Sequence, residues 1–469
     1  MWRALVAPAA FALVAASSTS AFADDVPIMT LAQALDYARA HQPLIRSALA
    51  EYAARRAEAR VPRAEWMPQV GGTVQAYEAT TNNTTALSLS TAETDLPRIG
   101  ATRSNTTSWS PTASTLVAVS VGQEVYDFGR ISARIAVQDA FAEMAHASGE
   151  AAQLDVQLGV EEAYAAVLAA RHVLGATEEA LQRAITHRDY ARAGVKSGLR
   201  PPIDLTRAQA DVAQLQVRQV QATSGLESAR AAFAASMASD RLQIDAAEPL
   251  PDDAAAPALQ EAFRLAAAHN PAIAAALARR RAQAANVTAV TRELLPNLSA
   301  SAGISCRAGG AQPSSAGSTV PTGDGWLPDV PNWHVGLILQ WNIFDATILA
   351  RRDAAKARAE AADADLEVAH LSVNLATERA WLTLDAALKA LPGLQAAVDA
   401  AVANNAQADA RFRAGLGNII ELADSESLLT NAELELAVGQ FTVARARSEL
   451  GRVVGQSAFP LVSRAGKGH

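Results

Sequence analysis

The chain has 469 residues and a formal net charge of −8, a length that suffices for two or three ordinary domains. It shows no basic cluster and no aromatic-rich basic face, which argues against a nucleic-acid-binding protein. Half of the residues are hydrophobic but only 5% are aromatic, and alanine is heavily used, a composition that favours long, closely packed helices. The single cysteine, Cys306, excludes an internal disulfide and does not suggest a zinc site.

Residues 1–23 have the pattern of a secretory signal peptide. Arg3 provides the basic start, an apolar run continues to about Ala16, and Ala21–Ala23 is a small-residue cleavage site. The mature chain would then begin at Asp24. The apolar run is too short to span a bilayer, and no later stretch offers the ~18 uninterrupted apolar residues of a transmembrane helix. The sequence therefore predicts an exported protein, with a buried N-terminal helix as the alternative.

The mature chain repeats itself. The segment from Leu31 aligns without a gap with the segment from Leu259, which places His41 on His269 at a separation of 228 residues. Further on, SGLRPPIDL aligns with AGLGNIIEL at an offset of 217 residues. Chance similarity between alanine-rich helices could explain the first block, but blocks in one order indicate an internally duplicated unit. We expect a first repeat, a linker, a second repeat and a C-terminal tail over 24–245, 246–257, 258–455 and 456–469.

Each repeat reads as helix, strand, polar loop, strand, very long helix, turn and helix. The strands have one apolar and one polar face, alternating with a period of two. We expect strands at about 68–78, 115–127, 296–305 and 332–344. Trp333 and Trp341 share the apolar face of the last strand, eight residues apart, which is roughly 26 Å at ~3.3 Å per residue. This spacing suits an aromatic girdle on a transmembrane β-barrel with a ~25 Å apolar band, although a soluble sandwich also has period two.

Four strands per chain do not close a barrel by themselves. Single-chain barrels start at about eight strands, and an open sheet in lipid would leave the backbone groups of its edges unpaired. A membrane barrel must therefore be shared between chains: three chains would give twelve strands and two would give eight. The strands of each pair are joined by polar segments at about 80–111 and 307–331, which suit long outward loops.

Two very long helices follow the strand pairs. The stretch from Asp127 to Gly198 covers 71 residues and the stretch from Asp345 to Gly415 covers 70, so that an unbroken helix would be ~105 Å long. Apolar residues recur at three-four spacing along both stretches, as on one face of a helix. Pro392 interrupts the second stretch, and we expect the helix to bend there. A complete turn at this proline is the alternative.

The signal peptide, the duplicated unit, the YDFGR junction and the Gly-Leu turn followed by an acidic-Leu step resemble the TolC family of outer-membrane efflux proteins. The resemblance extends over nearly the whole mature chain. It implies a homotrimer with a twelve-stranded transmembrane β-barrel, continued by a long periplasmic α-helical barrel. It also implies an outer-membrane channel-tunnel without a cofactor, which works with a periplasmic membrane-fusion adaptor and an inner-membrane transporter of the RND, ABC or MFS type. Such a protein exports substrates in tripartite efflux or type I secretion.

The resemblance also suggests candidate functional residues. The strand-helix junctions would consist of aromatic anchors and helix-capping aspartates, at Tyr126, Asp127, Phe344 and Asp345. Acidic residues after the turns would line a cation-attracting pore constriction, although acids also favour the first turn of any helix; they are Glu421, Asp424 and, in the first repeat, Asp204. The turn tips would dock the adaptor, with plain helix C-capping as the alternative; they are Gly198, Leu199, Gly415 and Leu416. Gly417 and Asn418 stand where the family often has arginine.

The sequence offers little support for an enzyme. No G-x-S-x-G, H-E-x-x-H or P-loop motif occurs, and the eight histidines are scattered. The second hypothesis is a periplasmic or surface coiled-coil protein such as an adhesin stalk, which would not need paired strands with a tryptophan-flanked apolar face. For a channel, drugs, metal ions and proteins all remain compatible substrates, because the selecting pump is another chain.

Overall fold

The computed structural model describes residues 26–80, 109, 111–247, 256–309 and 330–456. The predicted signal peptide lies outside the described residues. So do most of the two polar segments between strands, most of the linker and nearly all of the C-terminal tail.

The described chain is mostly helical, with a four-stranded sheet and a two-stranded sheet formed by the first and fourth strands. In chain order the elements are β1 (Ile28–Met29), α1 (Leu31–His41), α2 (Pro43–Glu58), α3 (Val61–Ala64), β2 (Gln69–Thr80), β3 (Pro111–Tyr126), α4 (Arg130–Lys196), α5 (Pro202–Ser236), β4 (Asp245–Ala246), α6 (Leu259–His269), α7 (Pro271–Arg292), β5 (Asn297–Gly309), β6 (Val330–Gln340), α8 (Ala346–Arg413) and α9 (Ile419–Val453). The helix expected at the start of each repeat is divided in two, directly before Pro43 and Pro271. Proline disfavours the helical conformation in the residue that precedes it and lacks the N–H that would continue the helix.

The main sheet has four antiparallel strands in the order β2-β3-β5-β6, so that β2 and β6 are its edges. The central pair, β3 and β5, joins the strands of the first repeat to those of the second. A bulge between Glu124 and Tyr126 interrupts this ladder close to the end of β3. β3 begins at Pro111, four residues before the expected start at 115, and β6 ends at Gln340, four residues before the expected end at 344.

The two faces of the sheet differ in polarity. One face presents exposed apolar side chains from all four strands, namely Val70, Val74, Val119, Val121, Ile304, Trp333, Val335, Leu337 and Leu339. The opposite face carries small and polar residues, namely Ser120, Gly122, Glu124, Ser299, Ser301, Gly303 and His334. The register keeps like residues beside like, because Val121 pairs with Ala302 and Ala302 with Val335.

The described chain divides into two compact units. Of the described residues, the turn unit comprises those within 26–38, 163–247 and 398–438, and the sheet unit comprises those within 39–162, 256–397 and 439–456. In the turn unit, Tyr164 packs edge-on against Phe233 with ring centroids 5.5 Å apart. In the sheet unit, alanines of α6 pack with larger apolar residues of α8 and α9, such as Leu384 and Leu450.

The long helices α4 and α8 have 67 and 68 residues, and α5 and α9 have 35 each. Helix α8 continues through Pro392, so the alternative of a complete turn at this proline is wrong. Near this point α9 carries Gly439, where a Cβ atom would lie only 2.4 Å from Leu394. The absence of a side chain at Gly439 lets α9 approach Leu391 and Leu394 of α8, which lie on either side of Pro392. No described helix is both long and apolar enough to cross a bilayer.

Candidate functional site

The first strand-helix junction lies in the sheet unit and is built on Asp127. Tyr126 is the last residue of β3, and Phe128 and Gly129 follow with positive φ angles of 52° and 87°. Asp127 is 2% exposed, and its carboxylate accepts hydrogen bonds from the backbone N–H groups of Gly129, at 2.9 Å, and of Ile131. These bonds satisfy amide groups at the start of α4 that have no partner within the helix. Asp127 is therefore a buried helix cap.

Two features of this junction favour glycine at position 129. Its φ of 87° lies in the region that residues with a side chain rarely adopt. In addition, the guanidinium of Arg292, at the end of α7, donates a hydrogen bond to the carbonyl oxygen of Gly129 at 2.7 Å. A Cβ atom at Gly129 would lie 2.2 Å from Nη1 of this arginine. The glycine thus lets a residue of the second repeat hold the junction of the first.

The second junction has a different construction. Phe344 is exposed, and Asp345 accepts hydrogen bonds from the backbone N–H of Thr347 at 2.7 Å and from its hydroxyl at 2.6 Å. The hydroxyl bond of Thr347 is the main reason that the pKa of Asp345 is lowered. Unlike Phe128 and Gly129, the described residues from Phe344 to Thr347 have no positive φ angle. Here an Asp-x-Thr cap takes the place of the glycine-bearing turn.

The two tryptophans lie at opposite ends of the exposed apolar face of β6. Trp333 pairs in register with Ile304 and is exposed. Trp341 follows the end of β6, and its indole N–H donates to the carbonyl oxygen of Leu294 at 3.1 Å. On the polar face, Glu124 lies 3.9 Å from Arg130 in the first turn of α4.

The two turns belong to the turn unit and have the same geometry. Gly198 and Gly415 have φ angles of 75° and 74°. Leu199 donates its N–H to the carbonyl of Gly194 and Leu416 donates to that of Arg411, both at 2.9 Å. With the accompanying bonds of the two glycines, this is the Schellman arrangement that ends many helices. Helix capping therefore explains the glycines.

Helix capping does not explain the leucines. In a Schellman motif the residue after the glycine commonly contacts an apolar residue in the last helical turn. Leu199 and Leu416 instead face Gly194 and Arg411 at that position, and they are 84% and 77% exposed. Each turn thus presents one leucine to its surroundings.

Arg200 joins the two turns, a role that the amino-acid sequence alone does not show. Its guanidinium donates to the carbonyl oxygen of Phe412 at 3.0 Å and lies 3.9 Å above the centre of the Phe412 ring. It also pairs with Asp204 at 3.7 Å. The only sequence signal was an arginine directly after the Gly-Leu turn, because its partner Phe412 is 212 residues away.

The three candidate constriction acids differ in their surroundings. Asp204 is paired with Arg200, and Glu421 lies 3.3 Å from Arg411. Asp424 is exposed and forms no ion pair with another residue that the structure describes. Asn418 accepts a hydrogen bond from the N–H of Glu421 at 2.8 Å and so caps α9. Of these three acids, Asp424 is therefore the one whose charge is least compensated by other described residues.

Comparisons with solved structures show the fold. The chain matches the outer-membrane channel OprN with 22% identity and a TM-score of 0.72, over 91% of this chain and 90% of that one. It matches a membrane protein from Pseudomonas aeruginosa with 20% identity and a TM-score of 0.73, over 92% and 91% of the two chains. It matches the outer membrane protein VceC from Vibrio cholerae with 18% identity and a TM-score of 0.71, over 92% and 97%.

A comparison with curated proteins found no match. The family model described as outer membrane efflux protein matches residues 34–239 and 262–456. These two ranges span most of the chain, and they confirm the resemblance seen in the sequence and the outer-membrane location that it implied. The chain belongs to the outer membrane efflux protein family, whose members are channels and not enzymes.

Proposed function

We propose that three copies of the chain close into one export channel. A twelve-stranded β-barrel, with four strands from each chain, crosses the outer membrane and continues into an α-helical barrel in the periplasm. The observation that carries this proposal is the four-stranded sheet, which exposes one apolar face and has two open edges, β2 and β6. In the membrane, the apolar face contacts lipid, and the backbone N–H and C=O groups of each edge strand form hydrogen bonds with the edge strand of the next copy.

The topology of the sheet supports closure by identical copies. Every neighbouring pair within the sheet is antiparallel, so β2 and β6 run in opposite directions. A β6 edge that meets the β2 edge of the next copy therefore forms another antiparallel pair, and the ring contains an even number of strands. The choice of three copies comes from the TolC family resemblance.

The assembly can be tested on the full-length protein. We expect envelope fractionation to place it in the outer membrane, detergent extraction to release a trimer, and planar bilayers to show discrete conductance steps. A detergent-extracted single subunit without conductance would contradict the proposal. The family assignment already favours a channel over the coiled-coil stalk.

We infer that Leu199 and Leu416 form the docking tips for a periplasmic membrane-fusion adaptor, which connects the channel to an inner-membrane transporter for efflux or type I secretion. Their exposure is not required by the caps that precede them, and apolar side chains at a protruding turn suit a partner surface. Leu199→Glu with Leu416→Glu should abolish co-purification of the adaptor. Leu242→Glu is the matched control, since Leu242 is 88% exposed in another loop of the same unit.

We also infer that Asp424 contributes to a ring of carboxylates that favours cations in the pore, together with Glu421. Asp424→Asn should reduce the cation selectivity measured as a reversal potential under a salt gradient. Asp204→Asn should change it less, because Arg200 already compensates the charge of Asp204. Equal effects of the two substitutions would contradict this assignment.

The duplicated organisation remains part of the proposal, and the two ranges matched by the family model support it.

A further inference from the structure

A buried histidine lies between two carboxylates in the turn unit. The side chain of His187, on α4, is 8% exposed, and its Nε2 atom is 2.7 Å from Oε1 of Glu426 on α9. Its Nδ1 atom is 4.0 Å from Oδ1 of Asp409 on α8. The ring also meets Phe412 of α8 edge-on, with centroids 6.0 Å apart. We call these four residues the clasp, because they join the α4–α5 helix pair to the α8–α9 pair.

The charge of Glu426 depends on His187. Among the described residues, Glu426 has no cationic partner other than this imidazole. Asp409 is better compensated, because Arg413 donates to it at 2.9 Å. Asp211 on α5 acts electrostatically on Glu426, and the guanidinium of Arg200 lies 3.9 Å from the centre of the Phe412 ring. One helical turn before His187, Arg183 of α4 pairs with Glu433 of α9 at 3.8 Å. Asp211 adds negative charge, and burial and the charge of Glu426 raise its pKa.

The hydrogen bonds of the clasp are incomplete. The Nδ1 atom of His187 and the Oε1 atom of Glu426 are buried without a hydrogen-bond partner in the described chain. His187 and Glu426 are thus within ion-pair distance, but their orientation is not that of a hydrogen bond. A neutral imidazole carries no charge, whereas an imidazolium supplies a counter-charge to both carboxylates without a hydrogen bond to either. Since a buried carboxylate without a counter-charge costs free energy, the charge on His187 decides how well Glu426 is compensated.

We propose that the clasp is a proton-dependent link between the two helix pairs of the turn unit, tight when His187 carries a proton and loose when it is neutral. Histidine is the side chain that ordinarily changes charge between pH 5 and 8. As the pH rises, Glu426 loses its counter-charge and faces Asp211 without compensation. Arg200 keeps its charge throughout and continues to hold the turns, so the release of the clasp loosens the pairs without separating them entirely. The proposal concerns contacts within one chain and does not depend on the proposed channel.

The test measures the separation of the two turns in the full-length protein. Spin labels are placed on Leu199→Cys and Leu416→Cys in a Cys306→Ser background, and labelled chains are diluted with unlabelled chains before assembly. Distance distributions are recorded at pH 5.5 and pH 7.5. We expect the population with the longer distance between the two labels to be about tenfold larger at the higher pH, which corresponds to the loss of the ion pair between His187 and Glu426.

Two variants and a control decide the outcome. His187→Gln should remove the pH dependence, and Glu426→Gln should also flatten it if the first variant does not fold. His172→Gln is the matched control, since His172 is an exposed histidine on the same helix, and it should keep the tenfold change. A wild-type protein without a pH-dependent change, or a change that persists in both clasp variants, would overturn the proposal.

Discussion

The sharpest test of the barrel uses two adjacent residues of β6 that point to opposite faces. Leu337 belongs to the apolar face with Trp333 and Trp341, four residues from each, and is 70% exposed. At ~3.3 Å per residue it lies roughly 13 Å along the chain from either tryptophan, at the middle of the apolar band. Ile338 lies on the other face and is 50% exposed, which in a barrel is the lumen.

We therefore expect Leu337→Arg to cost about 2–4 kcal/mol per chain in a membrane barrel, the usual cost of arginine on the lipid face at the midplane. Three copies multiply this cost, so the trimer should be strongly depleted in the outer membrane. Ile338→Arg introduces the same charge into a wet lumen and should leave assembly nearly unchanged. Trimer yield after detergent extraction and unfolding in urea with lipid vesicles measure both effects.

A soluble sheet would respond differently to this pair. Both side chains are exposed in the single chain, so two arginines in water would have similar, small effects. Equal trimer yields for Leu337→Arg and Ile338→Arg would therefore refute the placement of the apolar face in lipid. A loss confined to Ile338→Arg would mean that the two faces are assigned the wrong way round.

Four further substitutions test the folded units, each measured as a melting temperature in detergent. Gly129→Ala should destabilise by about 1–2 kcal/mol, because it places a side chain at a positive φ and displaces the guanidinium of Arg292. Gly225→Ala, in open space on α5, should stabilise by about 0.5–1 kcal/mol. Asp245→Asn should lower the free energy of unfolding by about 1.5–3 kcal/mol. Burial raises the pKa of Asp245, but hydrogen bonds from Arg230 and Arg171 outweigh this effect, and the net pKa is lowered. The stabilisation by the Asp245 carboxylate is therefore present at neutral pH and is lost as the pH falls through this lowered pKa. Asp211→Asn should stabilise the protein at pH 7 by a few tenths to about 1 kcal/mol, because burial and the charge of Glu426 disfavour the ionised form of Asp211 and raise its pKa. This gain in stability should vanish below about pH 4, where Asp211 is protonated in both the folded and the unfolded chain. An Asp245→Asn variant with unchanged melting at pH 7, or an Asp211→Asn variant less stable than the wild type, would contradict these assignments.

The amino-acid sequence by itself determined the local features of this protein. Period-two alternation predicted which side chains of the strands share a face, because successive Cβ atoms of a strand point to opposite sides. Asp127, Asp345 and the glycines of the two turns marked helix ends, because caps act over three to five residues of chain. The family was also predictable, since the order of these local signals repeats along the chain.

Only the tertiary structure decided which distant residues meet. Pairing of β3 with β5, the contact of Arg292 with Gly129, and the contact of Arg200 with Phe412 join positions more than 160 residues apart in the chain. No local period or cap encodes such contacts, because they depend on how whole helices and strands pack. The same holds for His187, which looked like one of several scattered histidines. Its significance comes from the carboxylates that two other helices place beside it.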